Sequence, residues 1–376
     1  MKQATVILLG CVAALLVLGM VMLYSASTVQ AGSHYLVMQL MWCGVGLAAG
    51  LGAACLPYRW LKHWQIPGLV LAGALVLLVL VLFAGDKING ARRWLHFGAV
   101  RFQPSELAKI AVILALAWYG EHYPRNLPKF WRGFVGPMAL IGAVACAIFL
   151  EPDWGTALLI TAVGVTMLIV AGTKLRYLLP ALLLGAIVLG YAIAHNPVRR
   201  DRVLAFLDPE KHKDGVGYQP WQAMLAFGAG GWQGQGLGDS RQKHGFVPEH
   251  HTDFILSVVG EELGAVATLA VVGAFVMLVC CGVFIACNAR DAFGQLLAVG
   301  ITFLIGLQAF INIAVETSSM PNKGISLPFI SYGGSNLVIM LLGVGLLVSV
   351  ARASVEEESS EPMPGHQAEL LAPQLL

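Results

Sequence analysis

The chain has 376 residues, of which 57% are hydrophobic and only 12% are charged. Soluble domains usually carry about one quarter charged residues, so the composition excludes an ordinary soluble protein and indicates an integral membrane protein. The formal net charge of +2 favours no class of partner, and nothing in the sequence indicates nucleic-acid binding.

Apolar runs of about 18 or more residues mark membrane-spanning helices. The predicted fold class is therefore an all-α polytopic membrane protein with about ten transmembrane helices. The first run is too long for the apolar part of a signal peptide and is interpreted as a retained helix. The eighth is too long for one perpendicular span, so it is tilted, broken near Gly264, or extends beyond the lipid. The spans lie near 5–24, 36–56, 67–84, 105–120, 133–150, 155–172, 177–194, 254–287, 293–316 and 326–350.

The spans define a ten-helix domain at 1–352, with a large loop at 195–253 between helices 7 and 8 and a predicted disordered tail at 353–376. Counting Lys and Arg on the two sides does not decide the orientation. Lys2 precedes the first helix and no cation follows it, so we place both termini in the cytoplasm and the large loop outside.

Cations on the outer side concentrate in the loops at 85–104 and 195–253, where membrane topology disfavours them. They indicate an anionic ligand such as a phosphate or diphosphate. For the cations at 199–213, solvated charges paired with nearby acids explain the sequence equally well. The seven cysteines lie in or beside apolar segments without a C-x-x-C pair, which indicates neither disulfides nor a zinc site.

The fourth helix begins with Pro104 and Ser105, residues that suit a first turn. Glu106 and Lys109 follow on one helix face. They form an ion pair that either positions a group for substrate or only fixes helix packing. Before the sixth helix, Asp153 caps the helix N-terminus, or faces a substrate cavity and helps to hold a cation.

The stretch 218–238 contains many glycines but no run of membrane length. It predicts a short interfacial or re-entrant segment lining a cavity, with Gln222 as a polar candidate. The passage 238–253 is polar and leads directly into the eighth apolar run, where Asp253 lies at its mouth. A carboxylate at that depth is costly and indicates function. Below it, Ser257, Gly260 and Gly264 share a stripe that suits an acyl chain or close helix packing.

In the ninth helix Gln308, Asn312 and Glu316 recur every four residues. Such a polar stripe must face the interior of the bundle. The following loop, at 320–336, contains Lys323 and several hydroxyl groups.

Four motifs together resemble one family. They read RFQPSELAK, EPDWGTAL, GLGDSRQKHGFVPEHHTDFILSVVGEELG and NKGISLPFISYGGSNL. This combination, spread over most of the chain, resembles the SEDS proteins, the peptidoglycan glycosyltransferases RodA, FtsW and SpoVE. The third and fourth motifs resemble the division member FtsW more than the elongation member RodA, although Asn322 stands where many FtsW sequences have Thr.

The resemblance implies polymerisation of lipid II on the outer side of the bacterial cytoplasmic (inner) membrane. It also implies a class B penicillin-binding transpeptidase as partner, other divisome or elongasome membrane proteins, and a divalent cation (Mg or Mn) without an organic cofactor. The family's essential acid falls on Asp253, and its functional Glu and Lys fall on Glu106 and Lys109.

The residues fit this chemistry independently. An α-linked donor with a diphosphate leaving group gives a β-linked product by one displacement, so one base must take the proton of the acceptor hydroxyl. We assign this role to Asp253. Arg101, Lys109, Lys323 or a bound metal then neutralises the departing diphosphate. The predicted substrate-binding residues are Arg101, Gln103, Glu106, Lys109, Asp153, Gln222, Glu249, His251, Thr252, Asn312, Lys323, Ser331 and Ser335.

Other functions were weighed. A flippase for the lipid-linked precursor uses a similar bundle, but no internal repeat supports it, and an elongation-type polymerase is a second alternative. The G-x-G-D sequence ending at Asp239 and the Pro-Ala-Leu sequence at 180–182 resemble motifs of an intramembrane aspartyl protease. Asp239 lies in a polar loop, however, the sequence contains no Tyr-Asp pair, and the order of the motifs is wrong. His250, His251 and Asp253 lack the H-E-x-x-H spacing of a metal hydrolase.

Overall fold

The computed structural model describes residues 1–31, 34–88, 90–98, 100–240 and 252–360. Within these ranges the chain forms twelve α-helices and a small antiparallel sheet with strand order β1-β2-β3. The helices are α1 (Lys2–Ala31), α2 (His34–Cys55), α3 (Gln65–Ala84), α4 (Pro104–His122), α5 (Gly136–Leu150), α6 (Trp154–Ala171), α7 (Leu175–Ala194), α8 (Pro197–Leu207), α9 (Tyr218–Gly230), α10 (Ile255–Cys287), α11 (Ala292–Glu316) and α12 (Gly334–Ser360). The strands are β1 (Asp86–Ile88), β2 (Ala91–Phe97) and β3 (Val100–Phe102).

A long helix occupies each of the ten predicted spans. In the described part of the chain, nine helices are long and apolar enough to cross a membrane. The tenth long helix, α4, has 19 residues and includes Glu106, Lys109 and Glu121. Most of its residues are buried, which places α4 inside the bundle, where protein rather than lipid surrounds its charged groups.

The long helix α10 is interrupted at Gly264, which is one of the three alternatives that its length left open. The backbone there has φ 79° and ψ −177°, a conformation that only glycine adopts readily. The amides of residues 235–236 donate to the carbonyls of residues 261–262 at 2.9 and 3.0 Å, and the Ala265 amide donates to the Gly231 carbonyl at 2.8 Å. The glycine-rich segment after α9 therefore satisfies backbone groups that the interruption leaves free.

The predicted short segment at 218–238 is the helix α9, which packs against α10. A Cβ added at Gly230 would overlap the Gly260 carbonyl, and the Phe227 ring covers Gly260. Protein thus fills the small-residue stripe below Asp253, so close helix packing, rather than an acyl-chain groove, explains its glycines.

Three elements differ from the sequence-based expectations. The stretch 86–102, interpreted as loop, forms the small sheet. The guanidinium of Arg92 in β2 donates to the carbonyls of Leu82 and Phe83 at 3.0 and 3.2 Å. The last long helix begins at Gly334 rather than near 326, because the Leu327 amide donates to the Ser331 hydroxyl in a turn. That helix continues to Ser360, past the predicted boundary at 352, and residues 361–376 lie outside the described ranges.

Two further features concern the shape of the bundle. In α7, Leu178 alone is buried, and its other residues are partly or fully exposed.

At the end of the bundle opposite Asp253, Lys62 Nζ lies 2.9 Å from a carboxylate oxygen of Glu121 and 3.0 Å from one of Asp291. The Tyr58 hydroxyl donates to Asp291 at 2.5 Å. This cluster, Tyr58–Lys62–Glu121–Asp291, connects the segment before α3 to the end of α4 and the start of α11.

Candidate active site

Asp253 lies two residues before α10 and is half-buried. A Cβ added at Gly324 would lie 2.5 Å from the Asp253 Oδ2, so the carboxylate sits directly against the loop between α11 and α12. The Asn312 amide donates to the main-chain carbonyls of Asp253 and Ile325, both at 2.9 Å. One buried side chain of α11 therefore fixes both sides of this contact.

Glu316, one turn further along α11, fixes the first turn of α10. Its carboxylate accepts hydrogen bonds from the amides of Ser257 at 2.7 Å and Leu256 at 3.3 Å. The first amides of a helix have no partner within the helix, and a carboxylate there interacts well with the helix dipole. Since Glu316 is fully buried, this contact holds the start of α10, and with it Asp253, in one position.

The predicted pair of Glu106 and Lys109 is confirmed. The Lys109 ammonium donates to the two Glu106 carboxylate oxygens at 2.8 and 2.9 Å and to the Gln308 side-chain oxygen at 2.9 Å. Both members of the pair are buried, and all three ammonium hydrogens are directed to groups inside the bundle. Contact with a substrate stays a prediction for both residues.

Gln308 extends this network to the loop before α12. Its amide donates to the Ser326 carbonyl at 2.9 Å and to the Asn336 side-chain oxygen at 3.2 Å, and Asn336 donates to the Ser326 hydroxyl at 2.7 Å. The polar stripe of α11 is buried as predicted. Gln308, Ser326, Asn336 and Glu316 were not among the predicted site residues, although the four-residue spacing on α11 marks two of them.

Asp153 caps α6, which confirms the first interpretation of this residue. It accepts from the Thr156 amide at 3.1 Å and from the Thr156 hydroxyl at 2.9 Å. The Gln103 side-chain amide reaches the same carboxylate at 3.4 Å. The Gln103 main-chain amide donates to the Ser335 hydroxyl at 3.1 Å, and that hydroxyl donates to the Arg101 carbonyl at 3.4 Å. The structure therefore brings four predicted residues together.

Lys323 is half-buried and directly precedes Gly324, the residue against which the Asp253 carboxylate lies. Burial lowers the pKa of Lys323, Asp153 opposes this effect, and Arg199 and Arg202 lower the pKa further. Four charged side chains from three parts of the chain thus lie close enough to influence one another.

The remaining predicted site residues contribute less to this arrangement. The Ser331 hydroxyl accepts the Leu327 amide at 2.8 Å within a buried turn. Gln222 is partly exposed on α9, and Thr252 directly precedes Asp253. Glu249 and His251 lie outside the described residues. Substrate contact by these five residues stays a prediction.

A divalent cation needs a set of oxygen or nitrogen ligands around one point. Among the residues that the structure describes, no group of three His, Cys, Asp or Glu side chains is placed to hold a metal ion. The described side chains around Asp253 therefore do not form such a site by themselves.

Glu151 is a buried acid that the sequence analysis did not select. Both carboxylate oxygens are buried without a hydrogen-bond partner. Burial raises the pKa of Glu151 to about 8, and Asp153 raises it as well, whereas Arg93 lowers it. The Arg93 guanidinium donates to the Glu151 carbonyl at 3.0 Å, not to the carboxyl group. At neutral pH the native chain therefore holds Glu151 mainly in its neutral form.

This raised pKa makes stability depend on pH. Because the native pKa of Glu151 exceeds its ordinary value of 4.5, the native state binds the proton more tightly than the unfolded state does. Stability from this group is complete below pH 4.5 and is lost as pH rises to about 8. We expect the melting temperature of the purified protein to fall over this range, and Glu151→Gln to flatten the profile. Glu210→Gln, at an exposed position, serves as control, and equal slopes for Glu151→Gln and wild type would contradict the assignment.

Comparisons with known proteins identify relatives of this chain over nearly all of its length. A relative from Geobacter metallireducens, named probable peptidoglycan glycosyltransferase FtsW, is 43% identical over 92% of this chain and 94% of its own length. A chain from the structure described as "Structural coordination of polymerization and crosslinking by a peptidoglycan synthase complex" is 31% identical with a TM-score of 0.79, covering 92% of this chain and 97% of that one. The rod shape determining protein RodA of Thermus thermophilus is 29% identical with a TM-score of 0.70, covering 92% and 96%.

The family model for FtsW, RodA and SpoVE, described as cell cycle protein, matches residues 5–356. This match covers nearly all of the ten long helices and every residue of the site around Asp253. The chain is a multi-pass membrane protein that belongs to the FtsW/RodA/SpoVE family.

Proposed function

We propose that this protein is a peptidoglycan glycosyltransferase that polymerises lipid II into β-1,4 glycan strands and releases undecaprenyl diphosphate. The observation that carries the proposal is the Asp253 carboxylate, held at the end of the bundle by Asn312 and Glu316 and placed against the loop with Lys323. The names of its relatives support the same reaction.

The reaction is a single displacement at the anomeric carbon of the donor sugar. The acceptor 4-hydroxyl oxygen forms the new bond to this carbon, and the bond from the carbon to the diphosphate oxygen breaks with its electron pair on the diphosphate. Asp253 accepts the proton of the hydroxyl group as general base. Configuration inverts once, so an α-linked donor gives a β-linked product.

Fixed backbone contacts prepare Asp253 for this role. A general base must lie within hydrogen-bond distance of the proton that it removes, and small displacements reduce the rate strongly. Asn312 holds the Asp253 carbonyl and Glu316 holds the amides of the next helical turn. These two buried side chains act as positioning residues for Asp253, and substrate contact by Asn312 stays a prediction.

The orientation and partners complete the proposal. We place both termini in the cytoplasm and Asp253 on the outer side of the bacterial inner membrane, where lipid-linked sugars are polymerised. The structural relative from a complex that couples polymerisation to crosslinking supports a class B penicillin-binding transpeptidase as partner, with other divisome membrane proteins. The FtsW names of the relatives support a role in division rather than elongation. Dependence on Mg or Mn stays a prediction, because residues 249–251 beside Asp253 lie outside the described ranges.

Polymerisation in detergent separates this function from transport. A flippase moves its lipid between two faces of a membrane and makes no polymer, whereas a glycosyltransferase extends glycan strands from lipid II in micelles. We expect purified protein, with and without a cognate transpeptidase whose crosslinking is blocked by penicillin, to produce polymer resolved by gel electrophoresis. Absence of polymer in both samples, together with lipid II translocation in liposomes, would favour the flippase.

A further inference from the structure

Three cations from two separate parts of the chain lie close together at the loop against which the Asp253 carboxylate packs. Arg199 and Arg202 lie one turn apart on α8, and Lys323 lies in the loop after α11. The side of α8 that carries Arg202 faces this loop, since Arg202 and Asn322 line the same small cavity. Both arginines act on the charge of Lys323. The fold thus brings three positive charges together at the loop that the Asp253 carboxylate contacts.

Arg199 is fixed by an aromatic ring rather than by an acid. Its guanidinium carbon lies 3.3 Å from the centre of the Trp154 ring, within the range of a cation–π contact. Trp154 is the first residue of α6, directly after the capping residue Asp153. The ring therefore holds the guanidinium beside the site while it leaves the hydrogen-bond donors of Arg199 available.

Charge pairing distinguishes these cations from their neighbours. Arg200 and Lys211 lie 3.8 and 2.5 Å from the carboxylates of Asp201 and Asp208. Among the described residues, no carboxylate forms a salt bridge with Arg199, Arg202 or Lys323, whereas several other cations of the same loops have such a partner. Like charges held together without acids repel one another, and an anion that binds between them removes this cost.

The nearest acid does not fill this role. Asp153 already accepts two hydrogen bonds from Thr156 and one from Gln103. Arg199, Arg202 and Lys323 together carry three positive charges. The single negative charge of Asp153 leaves two of them uncompensated. A diphosphate carries enough negative charge and enough acceptor oxygens to bind two guanidinium groups and an ammonium together.

We propose that Arg199, Arg202 and Lys323 form an anion site that binds the diphosphate of a polyprenyl-diphosphate-linked sugar. The site rests on the function proposed above. Lys323 adjoins Gly324, against which the Asp253 carboxylate lies, so the bound diphosphate would lie near the candidate base. The leaving group then sits on the Lys323 side of Asp253. Arg199 and Arg202 neutralise the charge that develops on the diphosphate as the bond to the sugar breaks.

Binding of undecaprenyl diphosphate tests the site without requiring turnover. The full-length protein in detergent micelles is titrated with this lipid, with undecaprenol and with inorganic diphosphate, and binding is followed by intrinsic tryptophan fluorescence. We expect undecaprenyl diphosphate to bind more tightly than undecaprenol, and Arg199→Gln and Arg202→Gln each to weaken its binding roughly 10-fold or more. Arg200→Gln is the matched control, because Arg200 is exposed beside Asp201, and its binding should equal that of wild type.

Two results would contradict the proposed anion site. Wild-type affinity in both Arg199→Gln and Arg202→Gln, or equal weakening by Arg200→Gln, overturns the site. Arg202 is exposed, so Arg202→Gln tests the site even if the Arg199→Gln variant misfolds. Arg199→Lys should recover only part of the affinity, because lysine retains the charge but not the planar contact with Trp154. If inorganic diphosphate binds as tightly as undecaprenyl diphosphate, the site recognises the anion and gains no affinity from the lipid. If the protein binds undecaprenyl diphosphate through these arginines but makes no polymer, the anion site is supported and the proposed function is not.

Discussion

Replacing Asp253 by asparagine is expected to reduce glycan polymerisation by about 10²–10⁴-fold, the usual contribution of a general base. Asparagine keeps the size and polarity of the side chain but cannot accept the acceptor proton. The main-chain carbonyl that binds Asn312 is unchanged, so the variant should fold and melt like wild type. Polymer yield from lipid II, measured under single-turnover conditions, reports the loss.

Asp208→Asn provides the control for this experiment. Asp208 follows α8 on the same loop and pairs with Lys211, so its replacement should leave polymerisation within about twofold, as expected for surface changes away from a site. Binding of undecaprenyl diphosphate separates chemistry from substrate affinity, because Asp253→Asn should retain it. Polymerisation by Asp253→Asn at the wild-type rate would remove Asp253 from the mechanism.

Gly264→Ala is expected to have the largest effect on stability. The backbone conformation at Gly264, with φ 79° and ψ −177°, costs other residues about 1–3 kcal/mol. A Cβ there would also overlap the Gly234 amide and the Trp232 carbonyl, so the segment that covers the interruption of α10 must move. We expect a clear fall in melting temperature, weaker expression and loss of polymerisation.

The same helix offers a matched control at Gly273. A Cβ added at Gly273 meets no atom within 4 Å, and alanine in a helix interior is favoured over glycine by about 0.5–1 kcal/mol. Gly273→Ala should therefore melt at the wild-type temperature or slightly above it. If both variants melt alike, the interruption at Gly264 does not constrain the fold as described.

The sequence predicted the elements whose cause is local. The length of the eighth apolar run left an interruption near Gly264 as one of three alternatives, and the cap at Asp153 followed from its place before α6. The sheet at 86–102 was missed, because its three-residue strands carry too short a pattern to reveal pairing. Local sequence therefore predicts where a helix is capped or interrupted better than it predicts short pairings between strands.

The candidate site was predictable in part for the same reason. Asp253 was identified because a charge at the mouth of a membrane helix is costly. The contact of Glu316 with the amide of Ser257 joins residues 59 positions apart, and the packing of Arg199 on Trp154 joins two different helices. Such contacts depend on how helices are arranged in space, which periodicity alone does not determine.

The cluster of Tyr58, Lys62, Glu121 and Asp291 has a mechanical consequence. Its hydrogen bonds and ion pairs join α4 and α11 to the segment before α3, at the end of the bundle opposite Asp253. Because these contacts hold α4 and α11 together at that end, we expect any separation of the two helices to be smallest there and to grow with distance from it. A widening of the bundle that admits a bulky sugar would then be greatest at the end that carries Asp253.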